Sequence, residues 1–266
     1  MKKKPSGPVE KVRMVLCDTK EASRTSAAVI RERMVEIVLN GRRVVSVACT
    51  GEHLEELAAG FLRSEGVVKD RRDILALDVT ADGGRVEVRV AAGKGRRVLG
   101  KKAGRTLASS GARGVVAYDD AGTGLKRKAN GGPALTPRNV LRLMNGLLRS
   151  GELHDATRGT HCSALATPQK IIVAREDIGR HNTLDMLSGY ALLKELSPKD
   201  KVILTTGRVS AEIIHKIRTM CVSLIISHSA PTSRAVALAE EFGITLIGYV
   251  RNGKMRIYAH PERIRF

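Results

Sequence analysis

A chain of 266 residues has room for one large domain or two small ones, each able to bury a core without staples. With 42% hydrophobic and 27% charged residues it is of ordinary globular composition, which excludes wholesale disorder; 3% aromatics and no Trp argue against a single-strand nucleic-acid reader built on stacking platforms. Lys and Arg number 46 against 27 Asp and Glu, a formal charge of +19, and such an excess favours a polyanionic partner: nucleic acid, an anionic membrane or a phosphate-rich ligand.

Cys17, Cys49, Cys162 and Cys221 lie far apart, with no Cys-x-x-Cys spacing, so the sequence offers neither a disulfide framework nor a four-cysteine zinc site. Its longest aliphatic runs, such as Leu224 to Ile226, are too short to span a bilayer. Lys2 to Lys4 make a basic start, but Val12 to Cys17 is too short and interrupted for a signal peptide, so the expected setting is a reducing cytoplasm.

Residues 1–27 read as a flexible basic N-terminus and 28–135 as a small α+β part with mostly antiparallel strands. Val35, Ile37 and Leu39 alternate as a strand. Asn40-Gly41 signals a type I′ hairpin turn, and Val45 and Val47 continue on the return strand. From about Glu52 the stripe Leu54, Leu57, Ala58, Phe61 and Leu62 predicts a helix ending at Gly66. A second hairpin pairs 74–79 with 86–90. Residues 91–114 hold six glycines, seven Lys or Arg and no acid, a basic loop.

From 136 to 266 the pattern alternates. Thr136 is a helix N-cap with Pro137 behind it, and Gly151 is read as that helix's end. Strands are expected at 171–174, 202–205, 224–227, 245–250 and 255–258, and helices at 182–195, 210–221 and 231–242. This alternation implies a mixed sheet with helices on both faces. Ligands of such sheets bind where strands end and helices begin.

Three junctions therefore stand out. Arg175 to Asn182 crowds charged groups at a helix start, where free N–H groups and the dipole favour anions; Asp177 or Asn182 as a plain cap, with solvated arginines, explains the segment as well. Thr205 to Ser210 places Gly207 and Arg208 at the next junction, and Ser227 to Ser233 places Ser229 before Pro231 at the third. Ordinary capped turns account for either taken alone.

Arg175 to Asp185 resembles the signature of the formate dehydrogenase accessory sulfurtransferases, the FdhD/NarQ family. Glu55 to Gly66, Gly159 to His161, Gly207-Arg208, Ser229 to Ser233, Leu246 to Arg251 and Tyr258 to Ile264 resemble further blocks of that family, in its order, so that the resemblance spans about residues 28–264. It implies an α/β (α+β) fold: a cytidine-deaminase-like, three-layer C-terminal domain with a mixed sheet beside the smaller N-terminal part. It also implies a homodimer that takes sulfur from a cysteine desulfurase and passes it to molybdenum bis(molybdopterin guanine dinucleotide) before that cofactor enters formate dehydrogenase. Guanosine diphosphate would mimic the cofactor's ends. By the same resemblance Arg175, Asp177, Arg180, His181 and Asn182 would hold phosphate or ribose. Gly207, Arg208 and Ser229 would complete the wall, and Tyr249, Val250, Arg251, Asn252, Gly253 and Lys254 match the segment assigned to the cofactor.

One departure concerns sulfur. Members carry Cys-x-x-Cys on a loop after Ser-Ser, and here Ser109-Ser110-Gly111-Ala112-Arg113-Gly114 contains no thiol. Cys162, beside His161, is the candidate substitute, and a buried inert thiol is the competing reading. Cys49 and Cys221 read as core. His53-Leu54-Glu55 has the His-x-Glu of a zinc deaminase, but without Pro-Cys-x-x-Cys no zinc set is completed, and no metal site is expected. The remaining alternative, a basic nucleic-acid-binding module, explains the charge and not the junctions.

Overall fold

The computed structural model describes residues 7–91, 105–107 and 131–266. The chain opens with an antiparallel hairpin, β1 (Val9–Cys17) and β2 (Ala22–Ile30), which forms a two-stranded sheet of its own. Residues 1–27 were expected to be a flexible tail. The hairpin closes instead through Asp18, whose carboxylate accepts the N–H groups of Lys20 and Glu21.

The N-terminal sheet has the order β5-β6-β3-β4-β7. Strands β3 (Arg33–Leu39) and β4 (Arg42–Cys49) flank the Asn40-Gly41 turn, whose φ values of 47° and 79° are the positive pair a type I′ turn requires. β5 (Ile74–Val79) and β6 (Arg85–Val90) make the second hairpin. The sheet is not mostly antiparallel: β3 pairs with β6, and β4 with β7 (Arg105–Leu107), in parallel. Helix α1 (Leu54–Ser64) makes the crossover that turns the second hairpin round. Its predicted stripe is buried against the sheet.

The C-terminal sheet has the order β13-β12-β11-β10-β8-β9. β8 is His161–Ala166, β9 Ile171–Asp177, β10 Val202–Thr205, β11 Leu224–Ser227, β12 Thr245–Arg251 and β13 Lys254–Ala259. β10, β11 and β12 run parallel and the other pairs antiparallel, so the sheet is mixed. Alternate strand residues supply two cores. Leu165, Ile203, Ile225 and Leu246 pack under α4 (Arg180–Leu193), α5 (Ala211–Thr219) and α6 (Ser233–Phe242). Ala164, Val202, Leu204, Ile226 and Ile247 pack under α2 (Pro137–Leu148) on the opposite face. This is a three-layer arrangement, as expected.

Two local differences follow from capping. Gly151 does not end α2 but is the N-cap of a short helix, α3 (Glu152–Thr157). Pro231 precedes the helix it was expected to begin, because Thr232 is the N-cap, its hydroxyl accepting the Ala235 N–H. At α2 the expected cap is present as a capping box between Thr136 and Asn139.

The two parts share α4. Leu184 and Leu187 face the C-terminal core, and Met186 and Leu192 enter the N-terminal one. A helix buried on opposite sides has no polar face to spare. It crosses α1 at a pair of glycines, Gly60 and Gly189, with backbone against backbone.

Candidate functional site

The C-terminal ends of β10, β11 and β12 meet the start of β8 and the end of β9 on one edge of the sheet. The connecting turns are stitched together there. Thr206 N–H donates to the Cys162 carbonyl (2.9 Å), and Cys162 N–H to Thr206 Oγ1 (3.0 Å). Ser227 Oγ donates to the Gly207 carbonyl (2.8 Å), and Tyr249 N–H to that of Ser229 (2.9 Å). The three junctions picked from the sequence therefore lie together, where α/β sheets carry their ligands.

The turn from Asp177 to Asn182 divides into an inner and an outer set. Asp177 is fully buried. Its carboxylate accepts the N–H and hydroxyl of Thr50 (2.8 and 3.0 Å), the Gly179 N–H (2.9 Å) and the Asn182 amide (2.6 Å). The Asn182 amide also donates to the Ala48 carbonyl at 2.8 Å. Arg175 forks onto Glu56 of α1 at 2.6 and 2.7 Å, with the Tyr190 ring beneath it. These three side chains, expected at the ligand, spend their hydrogen bonds on the joint between the two parts. Thr50 and Glu56 are the partners that the sequence did not reveal, because nothing local marks a contact made across more than a hundred residues.

Arg180 and His181 form the outer set. Arg180 Nε is buried without a protein partner. Gly207 leaves room for the Arg180 stem, since a Cβ there would stand 2.9 Å from the Arg180 Cβ. Arg208 is exposed and near enough to lower the Arg180 pKa, after burial. Two guanidinium groups near the start of α4 concentrate positive charge there. His161, at the start of β8, is held below the usual imidazole range by burial, then Arg180, His154 and Arg208.

His181 lies 3.3 Å from Glu212, without hydrogen-bond alignment. Burial, then Lys216, Arg180 and His161, push its pKa down to about 3. The sign of the linkage follows. The unfolded chain takes up this proton near pH 6.5 and the folded chain only near 3, so this stability is present above 6.5 and lost as the pH falls towards 3. Urea midpoints are expected to fall over that window, and His181→Gln to flatten the fall; an unchanged slope in the variant would refute the assignment.

At the far side, β12 is bulged between Gly248 and Arg251. Tyr249 has a φ of 57°, and Arg251 and Arg256 lie over its ring at 3.5 and 4.4 Å. Arg251, Asn252, Gly253 and Lys254 are exposed, whereas Val250 is a core residue that can present only backbone. Ser229 is half-buried beside them. Arg256 joins the cluster unannounced; only the two-residue period of β13, which sets it beside Lys254, could have suggested it.

The thiols are placed less favourably for chemistry. Cys162 is buried in the α2-side core, and burial, then Glu176, pushes its pKa up to about 12. Cys49 is also buried and raised to about 12, by burial and then Asp177. Neither is a thiolate at neutral pH, so Cys162 is not an activated nucleophile here. Cys17 and Cys221 are exposed, and Cys221 leaves the expected core because it sits just past the end of α5 with a φ of 57°. Residues Ser109 to Gly114 lie outside the described residues. Among the described residues no helix is long and apolar enough to cross a membrane.

The family model described as FdhD/NarQ family matches residues 30–265. A Bacillus subtilis protein named sulfur carrier protein FdhD is 37% identical over 247 residues, covering 92% of this chain and 93% of that protein. A Geobacillus kaustophilus protein of the same name is 38% identical over 235 residues, 86% of each chain. A crystal structure from Desulfotalea psychrophila, provisionally assigned as a formate dehydrogenase accessory protein, superposes with a TM-score of 0.78 at 24% identity, over 97% of this chain and 99% of that one, and so shares the fold. The chain belongs to the FdhD/NarQ family.

Proposed function

We propose that this protein serves formate dehydrogenase as an accessory factor of the sulfur-carrier class, and that its part in sulfuration is to hold the molybdenum cofactor. The ligand is molybdenum bis(molybdopterin guanine dinucleotide), bound along the strand-end edge through its phosphates. The observation that carries this reading is Arg180, whose Nε is buried and unpaired beside Arg208 and Gly207. A buried guanidinium N–H without a partner costs stability unless a ligand supplies an acceptor, and a diphosphate supplies several. The residues present therefore fit the phosphate end of such a cofactor. Arg208, Ser229 and the exposed run Arg251 to Lys254 extend the same surface, and Arg175, Asp177 and Asn182 hold it in place from behind.

The sulfur step rests on a different argument. A persulfide carrier needs an exposed, activated thiolate. Ser109 to Gly114 contain no cysteine, Cys49 and Cys162 are buried with pKa values near 12, and the exposed Cys17 and Cys221 stand at the β1–β2 turn and past the end of α5 rather than on the strand-end edge. We assign cofactor binding to this chain and place the persulfide on another protein, with a cysteine desulfurase upstream and formate dehydrogenase downstream. A cytoplasmic homodimer is the expected working form.

Guanosine diphosphate tests the reading as a mimic of the cofactor's end. Calorimetry at physiological ionic strength should show saturable binding that survives added salt far better than retention on duplex DNA, which falls steeply as counterions compete. Tight salt-dependent DNA binding without nucleotide binding would favour a nucleic-acid module.

A further inference from the structure

The β1–β2 hairpin stands apart from both larger sheets, a ribbon of two strands. Its base is anchored. The Arg31 N–H donates to the Pro8 carbonyl at 2.7 Å, and Ile30 lies against Gly159, where a Cβ would stand 2.9 Å from the Ile30 Cγ2. Towards the turn the cover ends: Val15 and Leu16, both large and apolar, are 58% and 60% exposed. A lone two-stranded ribbon is marginal in water, and a third strand is one of the additions that make it stable.

The open element is the outer edge of β1. Its one strand neighbour among the described residues is β2, so the N–H and C=O groups that point away from β2 have no strand to meet. The two faces beside that edge differ. Val12, Met14 and Leu16 lie on one, across from Ala27, Thr25 and Ser23. Lys11, Arg13 and Val15 lie on the other, across from Ala28, Ser26 and Arg24. Lys11 and Arg13 are exposed and have no ion-pair partner among the described residues. Glu10, the acid of β1, is taken by Arg31 at 3.0 Å. Against the middle of the ribbon lies an open hollow of about 700 Å3, lined by Arg13, Met14, Val15, Arg24 and Thr25, hairpin residues throughout.

We propose that the outer edge of β1 docks another protein, which adds an extended segment of alternating apolar and acidic residues as a third strand. Strand geometry selects this chemistry, because the side chains of an added strand fall on the same two faces as those of β1. One set meets Val12, Met14 and Leu16 and is apolar. The other meets Lys11 and Arg13, with Arg24 behind them, and is acidic. Main-chain hydrogen bonds then supply affinity and alternate side chains supply selectivity. A second copy of this chain brings its own +19 to the contact and is repelled. Duplex DNA gains nothing from the apolar face, and the turn would carry Asp18 and Glu21 towards its phosphates. No residue of the ribbon belongs to the cofactor surface, so the two stand or fall separately.

Fluorescence anisotropy on the full chain, with short labelled peptides at physiological ionic strength, tests this. A peptide of alternating Val and Glu should bind saturably. The same residues in two blocks, or alternating Val and Lys, should bind about tenfold more weakly or worse. Lys11→Glu with Arg13→Glu, both at exposed positions, should reverse the preference between the Val-Glu and Val-Lys peptides. Two N-methylated copies of the Val-Glu peptide, each blocked on one alternate set of amides, separate strand addition from charge attraction. One should bind like the parent and the other about tenfold more weakly or worse. Equal binding of the block and alternating peptides, equal binding of the two methylated copies, or an unchanged preference in the double variant overturns the docking edge. Retention of duplex DNA, or self-association, that the double variant abolishes while wild type ignores the Val-Glu peptide also overturns it, and gives the edge to nucleic acid or to a second copy.

Discussion

Gly60→Ala in α1 is expected to destabilise the protein by about 3 kcal/mol or more, beyond the usual range for an added methyl group. A Cβ on Gly60 would stand 1.7 Å from the Asp185 carbonyl oxygen and 2.8 Å from the Gly189 nitrogen. These are backbone atoms of α4 and cannot turn aside as a side chain could. Gly189→Ala meets the Glu56 carbonyl at 1.9 Å from the opposite side. The helices must separate, and separation pulls on Asp177–Thr50 and Arg175–Glu56, the contacts that hold the Arg180 turn. Alanine's better helix propensity returns only about 1 kcal/mol. Gly146→Ala in α2 is the control, because its Cβ would meet only the flexible end of Ile171 at 3.1 Å. Its effect should stay within about 1 kcal/mol. Urea unfolding distinguishes the two, and an unaltered midpoint for Gly60→Ala would mean that the helices do not touch there.

Arg180→Ala should weaken guanosine diphosphate by about 1.5–3 kcal/mol, roughly tenfold to a hundredfold, the scale of a charge-assisted hydrogen bond. Arg180→Lys should recover part of the loss, since it restores the charge but not the planar fork. Arg175→Ala provides the contrast. Its partner is the half-hidden Glu56 carboxylate, so its first effect should be on stability. Titrations in which wild type and Arg180→Ala match would remove Arg180 from the site.

The C-terminal sheet was legible because its strands are short aliphatic runs between helices with clear caps and stripes. The element absent from that reading, β8, is a buried run, His161 to Ala166, of small and mixed residues with neither alternation nor β-branching to mark it. The β1–β2 hairpin escaped for a related reason: its apolar residues alternate weakly among exposed charges. At the site, the junctions were legible as places and not as roles. Arg175, Asp177, Arg180 and Asn182 look alike in sequence, each a polar residue at a helix start. Only tertiary contact separates the inner three, which face Glu56, Thr50 and Ala48, from the outer one, whose Nε has no protein partner.

Co-purified metal tests the central claim, that the strand-end edge holds the molybdenum cofactor. The protein and its Arg180→Ala variant would be isolated from cells that make the cofactor, and molybdenum and released guanine nucleotide measured per chain. Wild type should carry both, in the ratio that a bis(guanine dinucleotide) cofactor requires, and Arg180→Ala should lose most of each. Wild-type protein free of molybdenum, or a variant that retains as much as wild type, would contradict the account.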